Sequence, residues 1–198
     1  MGYLISAYFG KESNDILSRH IREIANASGN DFMVKNSVPP HLTISFFEAR
    51  SEAIAKTVFQ EIQGRLKPGE IVIPSAGVFF PGVLFAEAVQ NAYLFELSST
   101  VNEELQRYDE IKVNQYYRPF SWIPHVTLGK TLDDEQMRTA FSYLQKHFSP
   151  FTAGIERFGL ARTNPHREIM TCNVEAVRKD PAGSKYPGLD AGRRGQAF

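Results

Sequence analysis

Two stretches pair an imidazole with a hydroxyl at the same spacing: His41-Leu42-Thr43 in "SVPPHLTISFF" and His125-Val126-Thr127 in "FSWIPHVTLGK". Side chains two apart on a strand point to one face. His41, Thr43 and Ser45 are therefore expected to line one face of a strand, and His125, Thr127 and Gly129 the matching face of another. Leu42, Ile44, Val126 and Leu128 turn the other way and anchor each strand in a core. Imidazole suits proton transfer near neutral pH because its unperturbed pKa is about 6.5. Two imidazoles can divide the labour: a neutral ring takes a proton from water while a protonated ring gives one to a leaving oxygen, as in-line attack on a phosphodiester requires. Threonine hydroxyls add donors for the non-bridging phosphate oxygens.

The surrounding pattern says which elements must position these residues. Tyr3 to Phe9 alternates as a strand, and Ser13 to Ala27 places Ile16, Leu17, Ile21 and Ile24 on one helix face, stopped near Gly29. Val38-Pro39-Pro40 forces an extended entry to the strand His41 to Phe47. Ser51 caps a helix carrying Ile54, Val58, Ile62 and Leu66, which ends at Lys67-Pro68-Gly69. Strands over Glu70 to Phe79 and Val83 to Val89 follow, joined by Phe80-Pro81-Gly82, with Gly82 supplying the permissive backbone. Tyr93 to Tyr108 has Leu94, Leu97, Val101 and Leu105 at helical spacing. The order then repeats: strand 120–130, a helix from Asp133 or Asp134 to His147 bearing Met137, Phe141 and Leu144, and strands near 151–161 and 167–177. The two histidines lie 84 residues apart (125 − 41), a separation that suits two duplicated lobes facing one cleft rather than a solenoid.

Bulk composition bounds the partners. Lys plus Arg equals Asp plus Glu at 22 each, so no overall positive field draws the chain to nucleic acid or membrane, and an anion must be gripped locally. The single cysteine, Cys172, rules out an internal disulfide framework and a multi-cysteine zinc site. No segment reads as a signal peptide or membrane span; the opening Met-Gly with Ser6 fits an acylation pattern only formally. A soluble, cytoplasmic, monomeric protein is expected. Residues 178–198 turn to Gly, Pro, Ser and charge and are expected to form a flexible tail.

The two motifs, "HLTI" and "HVTL", each followed by a helix and a strand pair, resemble the two signature motifs of the two-histidine phosphoesterase superfamily, whose bacterial members include the 2′-5′ RNA ligase and cyclic phosphodiesterase group. The likeness extends over most of 3–177 and includes Trp122-Ile123-Pro124-His125-Val126-Thr127 and the Phe-Pro-Gly hairpin before "VLFAEA". The resemblance implies an α+β fold, a single bilobal domain over 1–177 in which two antiparallel sheets form a central cleft with helices packed outside. It implies His41, Thr43, His125 and Thr127 as the catalytic set, and metal-independent chemistry on 2′,3′-cyclic phosphates or 2′-5′ links in small nucleotides or RNA ends, with no cofactor. Role order depends on which oxygen leaves; His125 as base and His41 as acid is the expectation. Tyr8, Phe80, Tyr117, Phe120 and Trp122 are candidate stacking partners for a base. Arg118 and Lys130 are candidate phosphate contacts, although strand alternation turns Lys130 from the histidine face unless the strand bends.

Rival readings lack supporting residues. Neither motif has the His-x-x-x-His or Glu-x-x-His spacing that sets two metal ligands on one helix turn, and no glycine-rich phosphate loop is present. A nucleotide- or RNA-binding module with the same cleft and little turnover is the alternative. His20 and His166 are expected at the surface, and His147 at a helix end where its charge suits the helix dipole.

Overall fold

Tyr3, Ile5, Ala7 and Phe9 alternate with Leu4, Ser6 and Tyr8, and in the computed structural model, which describes residues 1–163 and 166–174, this alternation is strand β1 (Gly2–Phe9). Helices α1 (Lys11–Ser28) and α2 (Phe32–Lys35) follow, then β2 (Leu42–Ala49), α3 (Glu52–Gln63), β3 (Gly69–Ile73), β4 (Ser75–Phe79), β5 (Val83–Glu87) and α4 (Ala92–Leu105). The remainder is β6 (Ile111–Val113), a 3-10 turn (Gln115–Tyr117), β7 (His125–Lys130), α5 (Asp134–His147), β8 (Phe151–Arg162) and β9 (Arg167–Asn173). The expected tail, 178–198, lies outside the described residues.

All strand pairs are antiparallel, in the order β3-β8-β1-β2-β7-β5-β4, with β6 beside β2 and β9 beside β8. The two motif strands sit at the centre. A single pair, Leu42 opposite Val126, joins them, so the two antiparallel halves form one hydrogen-bonded path that meets at the motifs. The helices cover one face: α1 packs on α5 and β7, and α3 pairs with α4, which covers β2. The core lies between sheet and helices. Leu42, Ile44, Val126 and Leu128 are fully or almost fully buried in it, each contributing about 1.5–3 kcal/mol of transfer free energy that fixes the motif strands from behind.

Local signals account for the element ends. Ser51 accepts from Ile54 N and Asn91 from Leu94 N at the starts of α3 and α4. Asp133 caps α5 in a reciprocal box with Gln136, leaving few orphan amides in the first turn.

Several expectations are corrected. The strand over Glu70 to Phe79 breaks at Pro74, which has no N–H for a ladder. The pieces part company: β3 pairs with β8 in one half and β4 with β5 in the other. Helix α3 stops at Gln63 rather than at Lys67-Pro68-Gly69. The second motif strand starts at His125, because Phe120 takes φ 68° and Ser121 and Trp122 turn back on the Arg118 carbonyl. The last strand ends at Asn173.

At the β4–β5 turn the Phe80-Pro81 peptide is cis, and Gly82 is required by closeness rather than by a left-handed backbone. A Cβ there would stand 2.5 Å from the Leu132 carbonyl oxygen, whose residue's own N–H bonds to Gly82 O at 3.0 Å. Gly82→Ala is therefore expected to cost about 1–3 kcal/mol through backbone displacement, read as a lowered denaturation midpoint. An unchanged midpoint would show that the turn yields freely.

Candidate active site

The face of the sheet away from the helices carries the motif side chains. Facing residues in an antiparallel pair share a side, so Leu42 opposite Val126 in the core puts the flanking residues on the open face. His41 falls beside Thr127 and Thr43 beside His125. The result is a four-residue square with the histidines on one diagonal and the threonines on the other, centred where the halves join.

Both rings are set the same way. His41 Nδ1 lies 2.8 Å from the Pro39 carbonyl and His125 Nδ1 lies 2.8 Å from the Ile123 carbonyl. A carbonyl only accepts, so Nδ1 carries the hydrogen in each ring, and in the neutral ring Nε2 is left as the atom able to accept a proton. Pro40 and Pro124 assist by holding the preceding residue extended. The two strands thus present matched imidazoles through local sequence alone.

A bulge follows each motif. Ile5 pairs with Ser45 and Ser6 with Thr43, while Leu84 pairs with Gly129 and Phe85 with Thr127. Each motif strand therefore has one extra residue directly after its threonine, Ile44 in β2 and Leu128 in β7, and such insertions re-aim the side chains beyond them. Ser45 falls opposite core residue Ile5, and a Cβ on Gly129 would point at Leu132 and Ile24. Neither residue lines the cleft, contrary to strict alternation. The same irregularity turns Phe46 and Lys130 onto the cleft face.

Lys130 consequently stands where alternation alone would not put it. Its ammonium lies 5.6 Å from the Phe32 ring centre, and its charge acts on His41. Tyr8 flanks His41 with ring centres 6.2 Å apart and carries the Arg157 guanidinium 4.1 Å over its face; Arg157 in turn pairs with Glu168 at 2.9 Å. Burial, then the Glu168 charge, raises Tyr8 to about 12 against the opposing Arg157 charge, so the phenol stays protonated. Ser6, opposite Thr43, has a buried hydroxyl without a protein partner among the described residues.

The other expected binding residues divide. Trp122 is buried and donates from Nε1 to the Thr43 carbonyl at 3.0 Å, so it fixes the first motif rather than stacking on a ligand. Tyr117 packs against the core and Phe46. Phe80 is 91% exposed at the hairpin tip and Phe120 is 91% exposed against Phe95; neither joins the rings around the histidines. Arg118 stands away from the histidines, in an adjoining groove with Phe46, Lys112 and Tyr116.

The structure also brings in residues that the sequence concealed. His166, expected at the surface, stacks on His41 with ring centres 5.8 Å apart and planes inclined by 26°. Phe79 and Phe85 enclose His125 at 4.8 and 5.2 Å. Only the β8–β9 and β5–β7 registers reveal these neighbours, since no spacing in the chain links 41 to 166 or 79 to 125. His20 is buried between α1 and α5 near Tyr143 and Phe148, because a helix face that meets another helix has no water-facing side. His147 is exposed at the end of α5.

The two rings differ electrostatically. Burial lowers His41 to about 4, opposed by the Pro39 hydrogen bond and reinforced by His166, His125 and Lys130. Burial lowers His125 too, opposed by the Ile123 carbonyl. Desolvation disfavours the charged ring in each case.

A native pKa below the unfolded value means that the unfolded chain binds more protons between about 6.5 and about 4, so stability is full above this window and falls as pH drops through it. Denaturation midpoints across that range should fall with acid in wild type. His41→Asn should flatten the slope without abolishing it, since burial also lowers His20, His125 and His166. An identical slope in the variant would contradict the lowered pKa of His41.

Among the described residues, no three His, Cys, Asp or Glu side chains converge as metal ligands, and no helix is long and apolar enough to cross a membrane.

Comparison with known proteins relates the chain to a family. The model of the 2′-5′ RNA ligase superfamily matches residues 14–167. A Bacillus mycoides (strain KBAB4) protein bearing the name "Putative phosphoesterase" is 27% identical over 129 residues, 62% of this chain and 70% of its own. Among solved structures, TT0787 of Thermus thermophilus superposes with TM-score 0.59 at 17% identity, covering 88% of this chain and 98% of that one. Escherichia coli LigT complexed with 3′-AMP gives 0.51 at 13% identity, covering 87% and 96%.

Proposed function

The chain belongs to the 2′-5′ RNA ligase superfamily, and we propose that it is a metal-independent phosphodiesterase acting on 2′,3′-cyclic phosphates or 2′-5′ links of nucleotides or RNA ends. The observation that carries this reading is the diagonal pair of imidazoles, each with Nδ1 tied to a carbonyl and Nε2 left for chemistry. A phosphate centred in the square has a ring on either side of phosphorus and a threonine hydroxyl towards each non-bridging oxygen. That is the layout in-line displacement needs. The nucleotide class of ligand is supported by the 3′-AMP held by E. coli LigT.

In the proposed reaction one Nε2 accepts a proton from water as its oxygen bonds to phosphorus. The other ring, protonated, donates to the ribose oxygen as its bond to phosphorus breaks. The product is a phosphomonoester, and one proton has crossed from one histidine to the other. His41 is surrounded by His166, His125 and Lys130, while His125 faces Phe79 and Phe85, so the proton is held more easily on His125. We therefore assign His41 as base and His125 as acid, the reverse of the order expected from sequence. Thr43, Thr127 and Lys130 take the phosphate charge, and Tyr8 borders the His41 side.

Purified protein with EDTA, incubated with the four 2′,3′-cyclic nucleotides and a 2′-5′ dinucleotide, tests this by phosphorus NMR. Ring opening or link cleavage that persists in EDTA is expected, with a bell-shaped kcat/KM against pH. Thr43→Val or Thr127→Val should lower kcat by roughly 10–100-fold, the loss of about 1.5–3 kcal/mol for a hydrogen bond to a charged group. Binding of nucleotide without turnover of any of these compounds would instead favour the binding-module reading.

A further inference from the structure

The open face of β2 continues past the catalytic square. After the bulge, Phe46 and then Glu48 occupy the side that His41 and Thr43 begin, and β6 sets Lys112 directly opposite Glu48. With the 3-10 turn, these residues enclose a groove of about 420 Å³ whose lining includes Gln115, Tyr116 and Arg118. That volume lies within the range of ligand sites. From Thr43 to Phe46 is two ladder steps, about 7 Å, so the groove opens immediately beside the reacting position.

Its chemistry is selective. Lys112 and Arg118 are exposed and make no ion pair with a carboxylate among the described residues, and Glu48 is the single carboxylate of the lining. Two cations against one anion leave one positive charge, matching one phosphodiester. Tyr116 is 68% exposed and Phe46 half-buried, which offers flat surfaces for a base. A cationic groove with aromatic rings is the combination that holds single-stranded nucleic acid without reading its sequence. The site is also anchored to the catalytic centre. Asn114 N–H bonds to Phe46 O at one end of the loop, and Trp122 bonds to the Thr43 carbonyl at the other.

We propose that this groove binds the nucleotide next to the reacting one, so that the enzyme acts on the end of a single-stranded oligoribonucleotide in preference to a mononucleotide. The proposal rests on the catalytic reading of the cleft. The test compares kcat/KM for a pentaribonucleotide ending in a 2′,3′-cyclic phosphate with that for the cyclic mononucleotide, in wild type and in Lys112→Gln/Tyr116→Ala. Wild type is expected to favour the pentamer by roughly tenfold or more, since stacking of one base contributes about 1–3 kcal/mol. The variant should lose that preference with mononucleotide turnover unchanged, and added salt should narrow the gap. Equal rates for the two substrates in wild type, or an undiminished preference in the variant, would overturn it. Fluorescence anisotropy of a labelled pentamer ending in a 3′-phosphate separates the two ideas. If no substrate turns over, the catalytic reading fails. Salt-sensitive pentamer binding weakened by the variant would still support the groove, and binding indifferent to both would overturn it.

Discussion

His41→Ala and His125→Ala proteins are each expected to lose roughly 10²–10⁴-fold in kcat on a 2′,3′-cyclic nucleotide, the usual contribution of a positioned acid or base. The double variant should lose little beyond the worse single variant, because a base that abstracts a proton is useless without an acid that expels the leaving oxygen. The two singles should differ in pH dependence. Without His125 the remaining rate should no longer need a protonated group, and the alkaline limb of the profile should flatten. Without His41 the acid limb should flatten instead. Each ring touches the fold through one carbonyl and its neighbouring rings, so alanine should leave circular dichroism and cooperative unfolding intact. Full activity in either folded variant would sink the acid–base pair. The limbs flattening in the opposite order would return the roles to His125 as base and His41 as acid.

The second large effect concerns Trp122. The motif strands share one ladder pair, so β7 does not serve the Thr43 carbonyl, and the Trp122 indole N–H does so instead from a buried position. Trp122→Ala removes the largest side chain at the junction of the two halves and should cost about 3–5 kcal/mol, read as a fall in denaturation midpoint. Trp122→Phe keeps most of the packing but leaves a buried acceptor unpaired, at about 1–3 kcal/mol. The phenylalanine variant should fold and yet turn over more slowly, because the carbonyl it strands belongs to Thr43, whose hydroxyl the proposed mechanism directs at the phosphate. If Trp122→Phe matched wild type in both stability and kcat, the indole bond would have no part in positioning Thr43.

Short-range rules are enough to read the candidate catalytic set, and most elements around it, from the chain. His-x-Thr twice, each behind a proline and backed by alternating aliphatic residues, specifies two strands that offer an imidazole and a hydroxyl on one face, because strand alternation and proline stiffness act over a few residues. Helix starts are legible for the same reason: Ser51 and Asp133 cap through bonds to the next turn.

The remaining features depend on register between distant segments, which no local rule reaches. Pro74 reads as an interruption, yet nothing local says that β3 and β4 go to opposite halves. The extra residue after each threonine is invisible until the strand is set against its neighbour, and it is this bulge that withdraws Ser45 and Gly129 and delivers Lys130 and Phe46 to the cleft. His166 reaches His41 across 125 positions of chain (166 − 41), carried there by β9 folding back along β8. The unequal basicity of the two histidines belongs to this second class, since it arises from burial and from charges that only the fold brings together.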